Sequence, residues 1–224
     1  MKSCLSPGGV ITVEFPHLLN LMEHTQFNTI YHEHFSYFSF FSVRKVFEYH
    51  ELEIFDVDLL PTHGGSLRIY GQHRQGLHVP TNRIKLLEQE EKVKGLDQMD
   101  SYLTFEEKAK RLKHAIRTFF QQVASEKKRV VAYGAPAKGN TLLNFCGLGK
   151  SDILFTVDKN PYKQGRFLPG THLPICSPQK IAEVKPDYLF ILPWNLKQEI
   201  MEQMHYIRAW GGKFVIPTPK LEVM

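Results

Sequence analysis

Residues 129–145 read RVVAYGAPAKGNTLLNF. The run from Val130 to Tyr133 is short, apolar and stopped by Gly134, which predicts a buried strand. The residues after Pro136 predict a helix, so the stretch reads as strand, tight turn, helix. The same alternation continues downstream. DILFTVD (152–158) predicts a second strand, PDYLFILPWN (186–195) a third and GGKFVIPTP (211–219) a fourth. Between them, SPQKIAEV (177–184) predicts a helix with Ser177 as N-cap and Pro178 at the first helical position, and residues 196–209 predict another. Strands alternating with helices imply a parallel, Rossmann-like sheet with helices on both faces.

The turn itself excludes two nucleotide motifs. It is not G-x-G-x-x-G. Gly134 and Gly139 have P-loop spacing, but Asn140 stands where the lysine belongs and Lys138 precedes the second glycine. What remains is a helix N-terminus, from Ala137 through Lys138, Gly139 and Asn140 to Thr141, whose N–H groups attract phosphate. Asp158 closes the second strand, where a carboxylate serves either to accept from a ribose hydroxyl or to cap a turn.

Upstream, the pattern changes twice. Residues 81–126 are rich in Lys, Glu, Gln and Leu, with Leu112, Ile116, Phe119 and Val123 on one helical face. This predicts two linker helices broken near Gly95, the second opened by a capping box at Thr104. Before them, residues 26–80 predict a small α+β segment: aromatics from Tyr31 to Ser42, a helix over 43–49, and strands over 52–58 and 67–70 joined by PTHGGS (61–66). Residues 9–15 predict one more strand, and 18–24 a short helix. The expected architecture is thus α/β, a C-terminal Rossmann-like domain over 127–224 preceded by linker helices, the α+β segment and a short piece over 1–25.

Bulk composition narrows the function. A formal charge of +5 over 224 residues is mild and spread out, suiting an anionic small molecule at least as well as nucleic acid, or simply a solvated basic surface. Cys4, Cys146 and Cys176 are too few and scattered for a disulfide framework or a zinc knuckle, which predicts a reduced, cytoplasmic setting and no metal. No apolar run reaches membrane-spanning length, and Pro7, Gly8 and Gly9 interrupt any signal-peptide stretch.

NTIYHEHFSYFSFFS (28–42) places two imidazoles and a carboxylate among aromatics. It reads as a pair of unreactive histidines or as an acid–base site. In the second reading one imidazole takes a proton, the glutamate orients it, and the tyrosine donates to an oxyanion. An H-x-H pair with no third ligand nearby argues against metal.

Taken in order, GGVITVEFPHL, FNTIYHEHFSYFS, THGGSLRIY, GAPAKGNTLLNF, RFLPGTHLPI, ILPWN and GGKFVIPTP resemble the sugar C-methyltransferase family along essentially the whole chain. That resemblance implies methylation at carbon 3 of a nucleotide-linked 4-keto-6-deoxy sugar by S-adenosylmethionine. It implies His34 as the base, with Glu33 and Tyr31 beside it. It further implies a sugar-facing loop at His63, Gly64, Gly65 and Ser66. The nucleoside diphosphate would be held by Ala137, Lys138, Gly139, Asn140, Thr141 and Asp158, with Trp194 and Asn195. Family members carry a cysteine-rich zinc domain and a complete cofactor domain before this region. The sequence here resembles only the last strands of the latter, over residues 1–25. The expectation is therefore a C-terminal part that binds the nucleotide sugar, does not bind S-adenosylmethionine alone, and takes as partner a separate chain carrying the cofactor domain. The alternatives are a nucleotide-sugar-binding module without activity and, less well matched, a nicotinamide oxidoreductase, against which the missing dinucleotide fingerprint counts.

Overall fold

The computed structural model describes residues 1–224, apart from the side chain of His63. The chain divides into two compact units. One is Met1–His24 with His34–Glu106, the other Thr25–Glu33 with Glu107–Met224.

The N-terminal unit is a three-stranded antiparallel sheet. β1 (Ile11–Pro16) and β2 (Leu52–Leu60) flank β3 (Ser66–His73). The helix α1 (Leu18–Glu23) follows β1, and α2 (Phe40–Tyr49) precedes β2. Ser39 caps α2, its hydroxyl accepting from Ser42 N at 3.1 Å, so this helix starts three residues before the expected boundary. Leu52, Ile54 and Val57 of β2, with an irregularity between Ile54 and Asp56 that resets the alternation, and Leu67 and Ile69 of β3 form the core with Phe40, Val43 and Phe47 of α2. Ile84 and Leu87 of α3 (Asn82–Val93) complete it. Gly95, at φ +72°, ends α3, and α4 (Met99–Ser125) begins soon after. The break near Gly95 is where the sequence places it, but Thr104 lies inside α4 and caps nothing. The apolar face of α4 carries Ala109, Leu112, Ile116, Phe120 and Val123, so Phe120 takes the buried place expected of Phe119.

The C-terminal unit is a six-stranded sheet. Its strands are β4 (Val130–Tyr133), β5 (Thr156–Val157), β6 (Ile175–Cys176), β7 (Tyr188–Ile191), β8 (Lys213–Ile216) and β9 (Glu222–Val223). They lie in the order β6-β5-β4-β7-β8-β9, all parallel except β9. Every residue of β4 is buried, as a strand covered on both faces requires. One face packs on Ile181 of α6 (Lys180–Val184) and Ile200 of α7 (Lys197–Gln203). On the other, Phe120 meets Phe190 edge-on at 5.4 Å between centroids. This is the expected Rossmann-like α/β architecture, with two short strands, β6 and β9, that the sequence pattern does not announce. α6 begins at Lys180, not at the expected Pro178. Ser177 makes no side-chain cap, because the backbone turns through Pro178 and Gln179 first. α5 (Ala137–Cys146) follows β4.

Candidate functional site

The turn from β4 into α5 is set by two glycines. Gly134 sits at φ +91°, and a Cβ there would lie 2.6 Å from Pro193 Cδ. Gly139 brings α5 against Leu192, whose Cβ would be 3.0 Å from an added Cβ. Gly134 N donates to Val157 O at 2.6 Å, and Thr156 Oγ1 donates to Gly134 O at 2.7 Å. No side chain caps the N-terminus of α5, which opens after Pro136. Its free N–H groups therefore remain available to an anion.

Lys138 projects from that first turn. Its Nζ donates to Asn195 Oδ1 at 2.7 Å and lies 5.1 Å from the Trp194 ring centroid. Burial pushes the Lys138 ammonium below its ordinary pKa. On β4, α5 and the segment after β7, three polar atoms are buried without a hydrogen-bond partner in the chain: Tyr133 Oη, Asn140 Oδ1 and Trp194 Nε1. Buried polar atoms are normally paired, so each of these is open to a partner from outside the chain. The structure thus brings Ala137, Lys138, Gly139, Asn140 and Thr141 on α5 together with Trp194 and Asn195 beyond β7.

Asp158 is engaged otherwise. Its Oδ2 accepts from Ala135 N at 2.8 Å and from Lys163 Nζ at 3.4 Å, and its Oδ1 from Asn160 N at 2.9 Å. Lys163 Nζ also donates to Ala135 O at 3.0 Å. The carboxylate fastens the turn that presents α5. Lys163, which the sequence reading missed, is part of the same fastening.

The Thr62–Ser66 turn has its own constraints. Gly64 and Gly65 sit at φ +93° and +117°, and a Cβ on Gly65 would lie 2.5 Å from Asn20 Nδ2. Ser66 is buried, and its hydroxyl donates to Thr62 O at 3.2 Å, so it shapes the turn from within. The side chain of His63 lies outside the described structure. Gly64 and Gly65 border a cavity of about 530 Å³ in the N-terminal unit.

Tyr31, Glu33 and His34 lie on irregular chain, neither helix nor strand, between a single 3-10 turn (Phe27–Thr29) and α2. Tyr31 and Glu33 belong to the C-terminal unit and His34 to the N-terminal one, because the chain passes from one to the other between Glu33 and His34. Phe27, just upstream, packs against Phe145 of α5, the rings tilted by 52° at 4.7 Å between centroids. The His34 ring lies 6.0 Å from that of Tyr37.

One further pair escaped the sequence reading. His17 and Glu91 are 1% and 2% exposed, and Nε2 of the imidazole lies 2.7 Å from Oε1 of the carboxylate. The available signal was position: Ile84, Leu87 and Glu91 share the buried face of α3, so the glutamate occupies an apolar site.

Among the described residues no group of three or more His, Cys, Asp or Glu is arranged to hold a metal ion, and no helix is long and apolar enough to cross a membrane. Burial pushes the Cys146 thiol up to about 12, which leaves it inert at neutral pH.

Residues 61–219 match the C-methyltransferase C-terminal domain family. The chain is 37% identical over all its 224 residues to the C-methyltransferase NovU of Streptomyces niveus. It spans about half the length of that relative, 53%. With the match running from the Thr62–Ser66 turn through the α5 turn to the last parallel strand, this chain belongs to the C-methyltransferase C-terminal domain family.

Proposed function

We propose that the chain is the C-terminal part of an S-adenosylmethionine-dependent C-methyltransferase acting on a nucleotide-linked keto-deoxysugar. It supplies the nucleoside diphosphate site and the general base. The observation that carries the reading is the uncapped start of α5, with the Lys138 ammonium on its first turn, the Trp194 ring centroid 5.1 Å from that ammonium, and unpartnered polar atoms on Asn140 and Trp194. A diphosphate answers the helix N–H groups, the Lys138 ammonium and the Trp194 N–H, and the Asn140 carbonyl oxygen suits a donor on a nucleoside.

In the sugar, a ketone at carbon 4 acidifies the hydrogen on carbon 3. His34 takes that proton, Tyr31 donates to the developing oxyanion, and Glu33 helps to orient the base. S-adenosylmethionine supplies the methyl group when it is bound. The strands of the N-terminal unit are antiparallel, and none is joined to a helix by a glycine-rich turn, so the residues of that unit do not fit the cofactor. The reading calls for a cofactor-binding domain beyond the described residues, in the cytoplasm.

Calorimetric titration of the purified chain with dTDP, UDP, GDP and S-adenosylmethionine tests the proposal. At least one nucleoside diphosphate binds and the methyl donor does not; micromolar S-adenosylmethionine binding overturns the division of labour. Deuterium uptake at carbon 3 of a bound 4-keto-6-deoxy sugar tests the base. His34→Asn abolishes uptake, and His32→Asn does much less. A parent chain that binds the sugar nucleotide without uptake favours a binding module.

A further inference from the structure

We infer that the Tyr133 hydroxyl is a further ligand contact of the C-terminal unit, made to a hydroxyl of the nucleotide's ribose. The inference rests on the nucleotide reading above and extends it to a side chain that the reading leaves unused. It starts from the order of the sheet. From β4 the chain continues through α5 to β5 on one side, and from β7 it continues through α7 to β8 on the other. β4 and β7 are direct neighbours, with Tyr133 paired opposite Ile191. Their onward connections part here, and in open parallel sheets the crevice outside the carboxyl ends at such a point takes the ligand. Tyr133 is the last residue of β4, so it stands at that edge.

The side chain is fixed on one face of the sheet. It belongs to the cluster of Val131, Ile191 and Ile200, and Trp194, just past β7, packs against the same cluster. Leu192 N donates to Tyr133 O at 3.0 Å, which holds the two strand ends together. All of these residues lie within the C-terminal unit. Tyr133 is 5% exposed, yet its Oη has no hydrogen-bond partner among the described residues. A core that needed only the ring would be served better by phenylalanine, because an unpaired buried hydroxyl is costly. Burial, together with the Asp158 and Glu199 carboxylates, holds the phenol above its ordinary pKa, so it keeps its proton and can donate. The same carboxylates bear on which group it meets. They disfavour a phosphate here, which the α5 N-terminus and Lys138 serve instead, whereas a neutral ribose hydroxyl accepts from Tyr133 without that repulsion.

The test is calorimetry on the full chain with the tightest-binding of dTDP, UDP and GDP and with its 2′,3′-dideoxy counterpart. Tyr133→Phe removes one oxygen and keeps the ring. Since that oxygen has no partner in the ligand-free chain, the melting temperature stays the same or rises. The variant loses about five- to tenfold in affinity for the natural diphosphate, as a single hydrogen bond implies, and stays within about twofold of the parent for the dideoxy form. If Tyr133→Phe binds both ligands as the parent does, or loses equally on both, the hydroxyl does not meet the ribose and the inference falls alone. A lowered melting temperature with equal losses marks the hydroxyl as structural, which overturns it too. If none of the three diphosphates gives heat with the parent, the nucleotide reading falls and takes this inference with it.

Discussion

Glu91 in the N-terminal unit and Asp158 in the C-terminal unit have matching sets of partners. Each carboxylate accepts from two backbone amides and one side-chain nitrogen: Phe40, Phe41 and His17 for Glu91, Ala135, Asn160 and Lys163 for Asp158. Their surroundings differ. The Glu91 side chain is 2% exposed and ties three helices together, whereas that of Asp158 is 15% exposed and ties one turn to the end of a strand. The small antiparallel sheet relies on a buried polar tie to seat its helices. The parallel sheet is held by apolar strands, and its polar tie shapes only the loop where a ligand is expected.

The largest expected effect tests the first half of that contrast. Glu91→Ala leaves two amides and an imidazole at a buried helix start without their acceptor, and should cost about 3–5 kcal/mol. Denaturant unfolding measures it, with amide exchange at Phe40 and Phe41 as the local probe. A loss under about 1 kcal/mol would mean that water replaces the carboxylate and that the two ties are equivalent. Asp158→Ala should cost less, about 1–3 kcal/mol in the ligand-free chain, since water reaches its partners. If melting is unchanged while nucleotide affinity drops, Asp158 contacts the ribose and the comparison with Glu91 fails.

The smallest effect on stability belongs to Lys138→Met, which should weaken nucleoside diphosphate binding about tenfold, as loss of a charge-assisted contact does. The pH dependence has a defined sign. Burial lowers the Lys138 pKa from its ordinary 10.5, so its charge fades, and affinity with it, at a pH where an exposed lysine is still protonated. Between the lowered value and 10.5 the unfolded chain holds more protons than the folded one, so ligand-free stability contributed by this group rises with pH in that window. Titrations across alkaline pH on parent and Lys138→Met separate the two trends.

Residues 129–145 were readable because a run of four buried side chains followed by a glycine at positive φ leaves few alternatives. The very short strands were not. Ile175–Cys176 and Glu222–Val223 offer two residues each, too few for any periodicity, and pair only because longer neighbours provide an edge. Thr104 misled because capping chemistry is local. Thr-x-x-Glu-like spacing occurs inside α4, whose start is set by the nearby end of α3 at Gly95. In the candidate site, the α5 residues and their neighbours Trp194 and Asn195 were legible from strand–turn–helix order. Glu91 was hidden among the charged residues of a polar helix, where a glutamate ordinarily faces water. Its place on the face of Ile84 and Leu87 was the one signal in the sequence, and the partners brought by His17 and α2 are what make that place tolerable for a carboxylate.

The two-residue outer strands have a colloidal consequence. An open sheet offers unpaired backbone groups at its margins, and a long flat margin is a template for another chain to add to. Here β6 and β9 end the C-terminal sheet, and β9 runs antiparallel across Val215 and Ile216, where the buried apolar strand β8 would otherwise be open. Phe214 and Met224 exchange both backbone hydrogen bonds, at 3.0 and 2.9 Å, and close the last rung. Margins this short leave little template on this sheet for cross-β stacking.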